Sequence, residues 1–114
     1  LIPYGIVSGA MSQEIIPCLK QGNIFEKFRF VIGADHVSHS KPEPDCYELG
    51  FEKMKTLVPA LTKPGCWVLE DSAGGISAAK KAGLPTIGIT NSLASEFLRE
   101  ADFVVDHYQE IKLI

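Results

Sequence analysis

The stretch Cys66–Leu84, CWVLEDSAGGISAAKKAGL, constrains this chain more than any other. It reads as a short buried strand, Cys66 to Leu69, that delivers two consecutive carboxylates, Glu70 and Asp71, to its end and then enters a helix at once. The Ser72 hydroxyl can accept from the orphan N–H groups of the first helical turn, and Gly83 can take the left-handed conformation that closes the last one. Gly75, Ala78, Ala79 and Ala82 keep one side of the helix small, so its axis can lie close to a sheet. Lys80 and Lys81 are expected to point to water near the negative end of the helix dipole.

Two hard carboxylates at a strand end suit a hard cation such as Mg²⁺, which takes oxygen ligands and keeps waters or a substrate phosphate for its remaining positions. The same acids could do no more than cap the helix and solvate the turn. The pair alone does not choose between these, and the rest of the chain has to.

Tyr4–Val7 is an apolar run ending at Ser8-Gly9, the pattern of a buried parallel strand with a polar tip. Met11 to Gln21 has helical periodicity, with a late start or a kink expected from Pro17. Phe28 to Ile32 is the next strand, ended by Gly33-Ala34-Asp35. Lys41-Pro42-Glu43-Pro44-Asp45 holds a lysine just before a helix, since Pro44 can occupy a first helical turn. That helix should run to about Lys55, with Tyr47, Phe51 and Met54 facing inward. After the central stretch come a strand at Thr86–Ile89, a turn at Thr90-Asn91, a short helix from about Ser92 to Arg99, a last strand at Phe103–Val105 and a fraying end from His107 to Ile114.

Strands alternating with helices predict an α/β fold with a doubly wound, mostly parallel sheet covered on both faces. Ligands bind such sheets at the carboxyl ends of the strands. Ser8, Asp35, Glu70, Asp71 and Thr90 all fall at strand ends and could converge on one edge.

A chain of 114 residues with 46% hydrophobic content can bury one modest core. Its formal charge of −3 leaves no basic stripe for nucleic acid, and no apolar run is long enough to span a bilayer. Cys18, Cys46 and Cys66 are odd in number and lack metal spacing, which fits a reducing, cytoplasmic setting. Leu1-Ile2-Pro3 has no initiator Met and no signal-peptide pattern, and an interior-type strand follows directly. The expectation is the C-terminal piece of something longer.

A strand ending in Ser8-Gly9, the Lys41-Pro42-x-Pro44 segment, and Glu70-Asp71-Ser72 followed by Gly75, Ala78, Ala79, Ala82 and Gly83 together resemble the haloacid dehalogenase-like (HAD) superfamily, in its sugar-phosphatase and beta-phosphoglucomutase branch. The resemblance covers nearly the whole chain. It implies a Rossmann-like core, a small phosphorylated metabolite as substrate, and Mg²⁺ as cofactor. Ser8 would donate its hydroxyl, with the Gly9 backbone N–H, to an oxygen of the transferring phosphoryl group. Lys41 would neutralise phosphate charge and steady the nucleophile, and Glu70 and Asp71 would hold Mg²⁺ directly or through water.

Enzymes of that family attack phosphorus with an aspartate in a D-x-D-x-[TV] motif on a first, central strand. These 114 residues contain no D-x-D. Residues 1–114 are therefore expected to be a partial core domain, lacking that strand and the substrate-selecting cap inserted after it, and inactive alone. The slot would be filled by the missing N-terminal segment or drive self-association. A phosphomutase and a non-catalytic module that binds a partner strand are the alternatives. A receiver-type regulatory domain has its acids in a different order.

His36 and His39 read as surface residues without a third metal ligand, and His107 has no functional partner. Cys46 and Cys66 read as small buried hydrophobes, and Trp67, Phe28 and Phe30 as core. Gly74-Gly75 lacks the spacing of a dinucleotide fingerprint.

Overall fold

The computed structural model describes residues 2–112. Strands and helices alternate in the order β1 (Ile6–Val7), α1 (Ser12–Gln21), β2 (Val31–Ile32), α2 (Asp45–Leu57), β3 (Val68–Glu70), α3 (Ala73–Lys81), β4 (Thr86–Ile89) and β5 (Phe103–Val105). Every strand pairing is parallel: β1 with β2, β3 with β4, and β4 with β5. This is the α/β arrangement that the alternation predicts, since parallel neighbours need long crossovers and helices supply them. The strands form two sheets, β1-β2 and β3-β4-β5, and among the described residues no ladder joins β1 to β3.

What joins the halves is a core of side chains. Ile32 of β2, Cys46 and Tyr47 of α2, Val68 of β3, and Ala78, Ala79 and Ala82 on and just beyond α3 form one buried cluster with Leu84. Helix α2 can lie close to the first sheet because Gly50 leaves room for Val7, whose side chain would sit 3.3 Å from an added Cβ. Helix α3 starts and stops as its sequence dictates. Ser72 Oγ accepts from Gly75 N at 3.0 Å, and Gly83 takes φ +80°.

Several elements differ from expectation. Strand β3 begins at Val68 rather than Cys66 and includes Glu70, because Cys66 N turns back to Lys63 O and the ladder opens only where Val68 N meets Pro85 O. Strand β2 is shorter than Phe28–Ile32, although Arg29 N and Phe30 O still bond to Tyr4 O and Ile6 N. Helix α1 starts at Ser12 without delay and carries Pro17 inside it, where the missing N–H would have faced the Gln13 carbonyl. Ser92–Arg99 contracts to one 3₁₀ turn at Ser95–Leu98, and a 3₁₀ turn at Tyr108–Glu110 stands in the expected fraying end, whose last two residues lie outside those described.

Lys80 does not simply point to water; its ammonium pairs with both oxygens of Asp102 at 2.9 and 2.8 Å. Cys46 is buried as expected, while Cys66, Phe28 and Phe30 are only partly so. Trp67 is 43% exposed rather than core. Alternation explains it. Val68, Glu70, Thr86 and Gly88 share the sheet face on which Ile76 of α3 packs, so Trp67, Leu69 and Phe103 fall on the other face. On that face Leu69 and Phe103 are 44% and 61% exposed and the Trp67 and Phe103 rings pack with each other, while Ile89 is buried there, so among the described residues this face is only partly covered.

Candidate functional site

The carboxyl ends of β1 and β3 face each other across a cavity of about 500 Å³. Ser8 and Gly9 line it from the end of β1, Lys41 from the loop before α2, and Glu70, Asp71 and Ser72 from the tip of β3. Ser8, Gly9, Lys41, Glu70 and Asp71, the residues that the family resemblance implies for the site, thus line one cavity. Asp35 and Thr90 do not join them. Asp35 instead accepts from Ser12 N and Ser12 Oγ at the start of α1, which holds its carboxyl below the usual range, and Thr90 Oγ1 donates to Asp106 at 2.7 Å.

Ser8 Oγ accepts from Ala10 N at 3.1 Å, which leaves its hydroxyl hydrogen free to donate. Gly33 lets this loop close, because a Cβ there would meet Ser12 N at 2.5 Å and Ala10 O at 2.9 Å. Lys41 Nζ lies 2.5 Å from Glu70 Oε2 and 3.3 Å from Val7 O. Glu70 is buried, and both its carboxylate oxygens accept: the Tyr47 hydroxyl also donates to Oε2, and Ser72 Oγ donates to Oε1 at 3.3 Å. Gly75 is obligatory beside it, since any Cβ would overlap the Glu70 carboxyl group. Asp71 is more open, with Oδ2 accepting from Ser92 Oγ at 2.9 Å.

The two acids therefore differ. Glu70 faces inward to a cation and two hydroxyls, whereas Asp71 keeps an oxygen without a hydrogen-bond donor among the described residues. No three His, Cys, Asp or Glu side chains among the described residues are grouped to hold a metal by themselves. One open carboxylate beside a cavity fits a hard cation that completes its shell with water and substrate oxygens. His36 accepts from Gly33 N, and His39 pairs with Asp45, both away from the cavity.

Sequence reasoning placed Tyr47 in the core and missed its hydroxyl. The available signal was chemical, because a buried phenol needs a hydrogen-bond partner. Ser72 was read only as a helix cap, and Ser92 and Tyr108 went unnoticed. The Tyr108 hydroxyl accepts from Asn91 Nδ2 at 3.1 Å, and its side chain closes one wall of the cavity.

Lys41, the free Ser8 hydroxyl and the open Asp71 carboxylate thus lie together at the carboxyl ends of parallel strands. Residues 1–89 match the family model described as haloacid dehalogenase-like hydrolase, and the chain belongs to that family. The phosphoglycolate phosphatase of Escherichia coli strain K12 is 35% identical over 89 residues, which cover 78% of this chain and 33% of that protein. The crystal structure of beta-phosphoglucomutase from Clostridium difficile superposes with a TM-score of 0.74 at 27% identity, covering 89% of this chain and 42% of that one. CbbY from Rhodobacter sphaeroides, solved in complex with phosphate, gives 0.76 at 26% identity, covering 96% and 48%. The chain thus spans half or less of the length of these relatives, and it shares with them the HAD-like α/β core.

Proposed function

We propose that this chain carries the phosphate-binding and metal-binding part of a Mg²⁺-dependent phosphoryl-transfer hydrolase acting on a small phosphorylated metabolite of the sugar-phosphate kind. The observation that carries the reading is the convergence of Ser8, Lys41 and Asp71, from three separate loops, on one cavity. Phosphoryl transfer is catalysed mainly by positioning and charge stabilisation, and these are the groups that supply both. Ser8 Oγ and Gly9 N donate to phosphoryl oxygens, and Lys41 offsets their charge. Asp71 would hold Mg²⁺ directly, and Glu70 would act on it through water. Bound Mg²⁺ supplies further positive charge to the phosphoryl oxygens.

The aspartyl nucleophile comes from a D-x-D strand outside these 114 residues, seated between β1 and β3. The support is the separation of the two sheets, whose facing strands carry backbone groups not used in a ladder. The same open edges favour a second reading, a non-catalytic module that binds a partner strand. A phosphomutase of the beta-phosphoglucomutase type uses the same site and differs in what receives the phosphoryl group. The three unpaired cysteines fit a reducing, cytoplasmic setting.

Turnover of an aryl phosphate tests the proposal. A protein containing these residues joined to a D-x-D strand should hydrolyse it only with Mg²⁺ and lose activity in Asp71→Ala, while the 114-residue chain alone stays silent. Turnover by the chain alone, abolished by Asp71→Ala, would overturn the shared site. No turnover of any phosphate monoester by the joined protein would leave the strand-binding module standing.

A further inference from the structure

We propose that Tyr47 is a positioning residue of the cavity, fixing Lys41 through the Glu70 carboxylate so that the ammonium presents its remaining hydrogen to a bound phosphate. The inference rests on the reading of the cavity as a phosphate site and adds to it a residue from the core.

Lys41 lies in the loop before α2, and a lysine side chain there has four rotatable bonds and no intrinsic reason to hold one position. Glu70 gives it one. This carboxylate is 8% exposed and is gripped from two helices: by the Tyr47 hydroxyl from α2 and by the Ser72 hydroxyl at the start of α3. Both donors sit on rigid elements, so Oε2 is a fixed acceptor for Lys41. The ammonium has three hydrogens. One meets Glu70 Oε2 and a second meets Val7 O, so the third is left for the cavity that Lys41 lines.

The ring of Tyr47 contributes too. Its centroid lies 5.0 Å from Lys41 Nζ, within the range at which an aromatic face attracts a cation. Tyr47 is 5% exposed, and its hydroxyl donates to the same oxygen as the lysine. A tyrosine that served only to fill the core would not need its hydroxyl on the partner of a cavity lysine.

The test is heteronuclear NMR of the lysine ammonium groups in the ¹⁵N-labelled full chain, with Lys41 assigned by Lys41→Arg. The native chain should show a slowly exchanging Lys41 ammonium signal that moves on titration with inorganic phosphate. In Tyr47→Phe, folded by circular dichroism, that signal should broaden or vanish, and the phosphate dissociation constant should rise roughly tenfold. A lower thermal midpoint with the Lys41 signal and phosphate affinity unchanged would mean a structural role only and would overturn the proposal. If Tyr47→Phe does not fold, the Tyr47 hydroxyl proton can be followed in Lys41→Met, because both donors share Oε2. A proton that does not move there would also overturn it. Phosphate that leaves the native Lys41 signal untouched would refute the phosphate reading, whereas the phosphate-free spectra judge the Tyr47–Glu70–Lys41 linkage separately.

Discussion

Lys41 Nζ and Glu70 Oε2 are 2.5 Å apart, with side-chain exposures of 19% and 7%. A charge pair this secluded is costly to halve, because the survivor keeps its desolvation cost and loses its counter-charge. Lys41→Met is therefore expected to lower the unfolding free energy by roughly 3 kcal/mol. The double variant Lys41→Met/Glu70→Gln should regain most of that loss, since it removes both charges together. Urea unfolding of the four proteins of this cycle measures the coupling. Equal stabilities for Lys41→Met and the native chain would mean that Glu70 is solvated and the pair is loose.

Two adjacent glycines should respond in opposite directions. A Cβ on Gly75 would fall on the Glu70 carboxyl group, while a Cβ on Gly74 would meet nothing within 4 Å. Gly75→Ala must push Glu70 away from Lys41 and Tyr47, at a cost of about 2–4 kcal/mol. Gly74→Ala lies inside α3 and should stabilise the chain by about 0.5–1 kcal/mol through the lower entropy of its unfolded state. Thermal midpoints of the two variants decide it, and a common direction would refute the packing argument.

This contrast marks what the sequence made legible. Gly75 could be read as a small residue on a helix that lies close to a sheet, because spacing reports on faces. That the close neighbour is the Glu70 carboxylate depends on side-chain direction at the end of β3, which no periodicity encodes. The convergence of Ser8, Glu70 and Asp71 followed from the rule that parallel strands present their carboxyl ends to one edge, whereas Lys41 came in only with the family resemblance. Trp67 was misread for a related reason. Its residue type favours burial, but its place just before β3 puts it on the sheet face away from α3, and the covering of a face is a property of the whole fold. Asp35 obeyed the strand-end rule and still left the site, because its carboxylate is taken by the Ser12 N–H and hydroxyl at the start of α1.

Acid should weaken the seam between α3 and β5 through Asp102. Its carboxyl is held below the ordinary value of 3.8, first by the Lys80 hydrogen bond and then by Thr86 N, which donates to Oδ2 at 2.7 Å. A carboxyl with a lowered folded value contributes stability above its unfolded value, and that contribution is lost as pH falls through the folded one. At neutral pH Asp102→Asn should cost about 1 kcal/mol, because the side chain is 37% exposed and solvent screens the pair. The difference from the native chain should hold down to about pH 4 and shrink below it. Urea midpoints across the acid range check this, and a gap that widened on acidification would reverse the assigned direction.

The Ser92–Asp71 hydrogen bond bears on the proposed metal site. Ser92 Oγ donates to Asp71 Oδ2 at 2.9 Å, so the turn after β4 orients the carboxylate proposed as the cation ligand. Groups that orient a ligand without touching the metal commonly change affinity by tenfold or more, but this bond is exposed and its loss should cost less. With Mn²⁺ as a paramagnetic stand-in for Mg²⁺, backbone amide signals of Ser8, Gly9 and Asp71 should broaden first. Asp71→Asn should remove that selectivity, and Ser92→Ala should raise the Mn²⁺ concentration needed by roughly threefold to tenfold. Broadening centred instead on His36, Asp45 and Glu48, which line a separate acidic groove, would show that the cation prefers that surface and would take Asp71 out of the metal site.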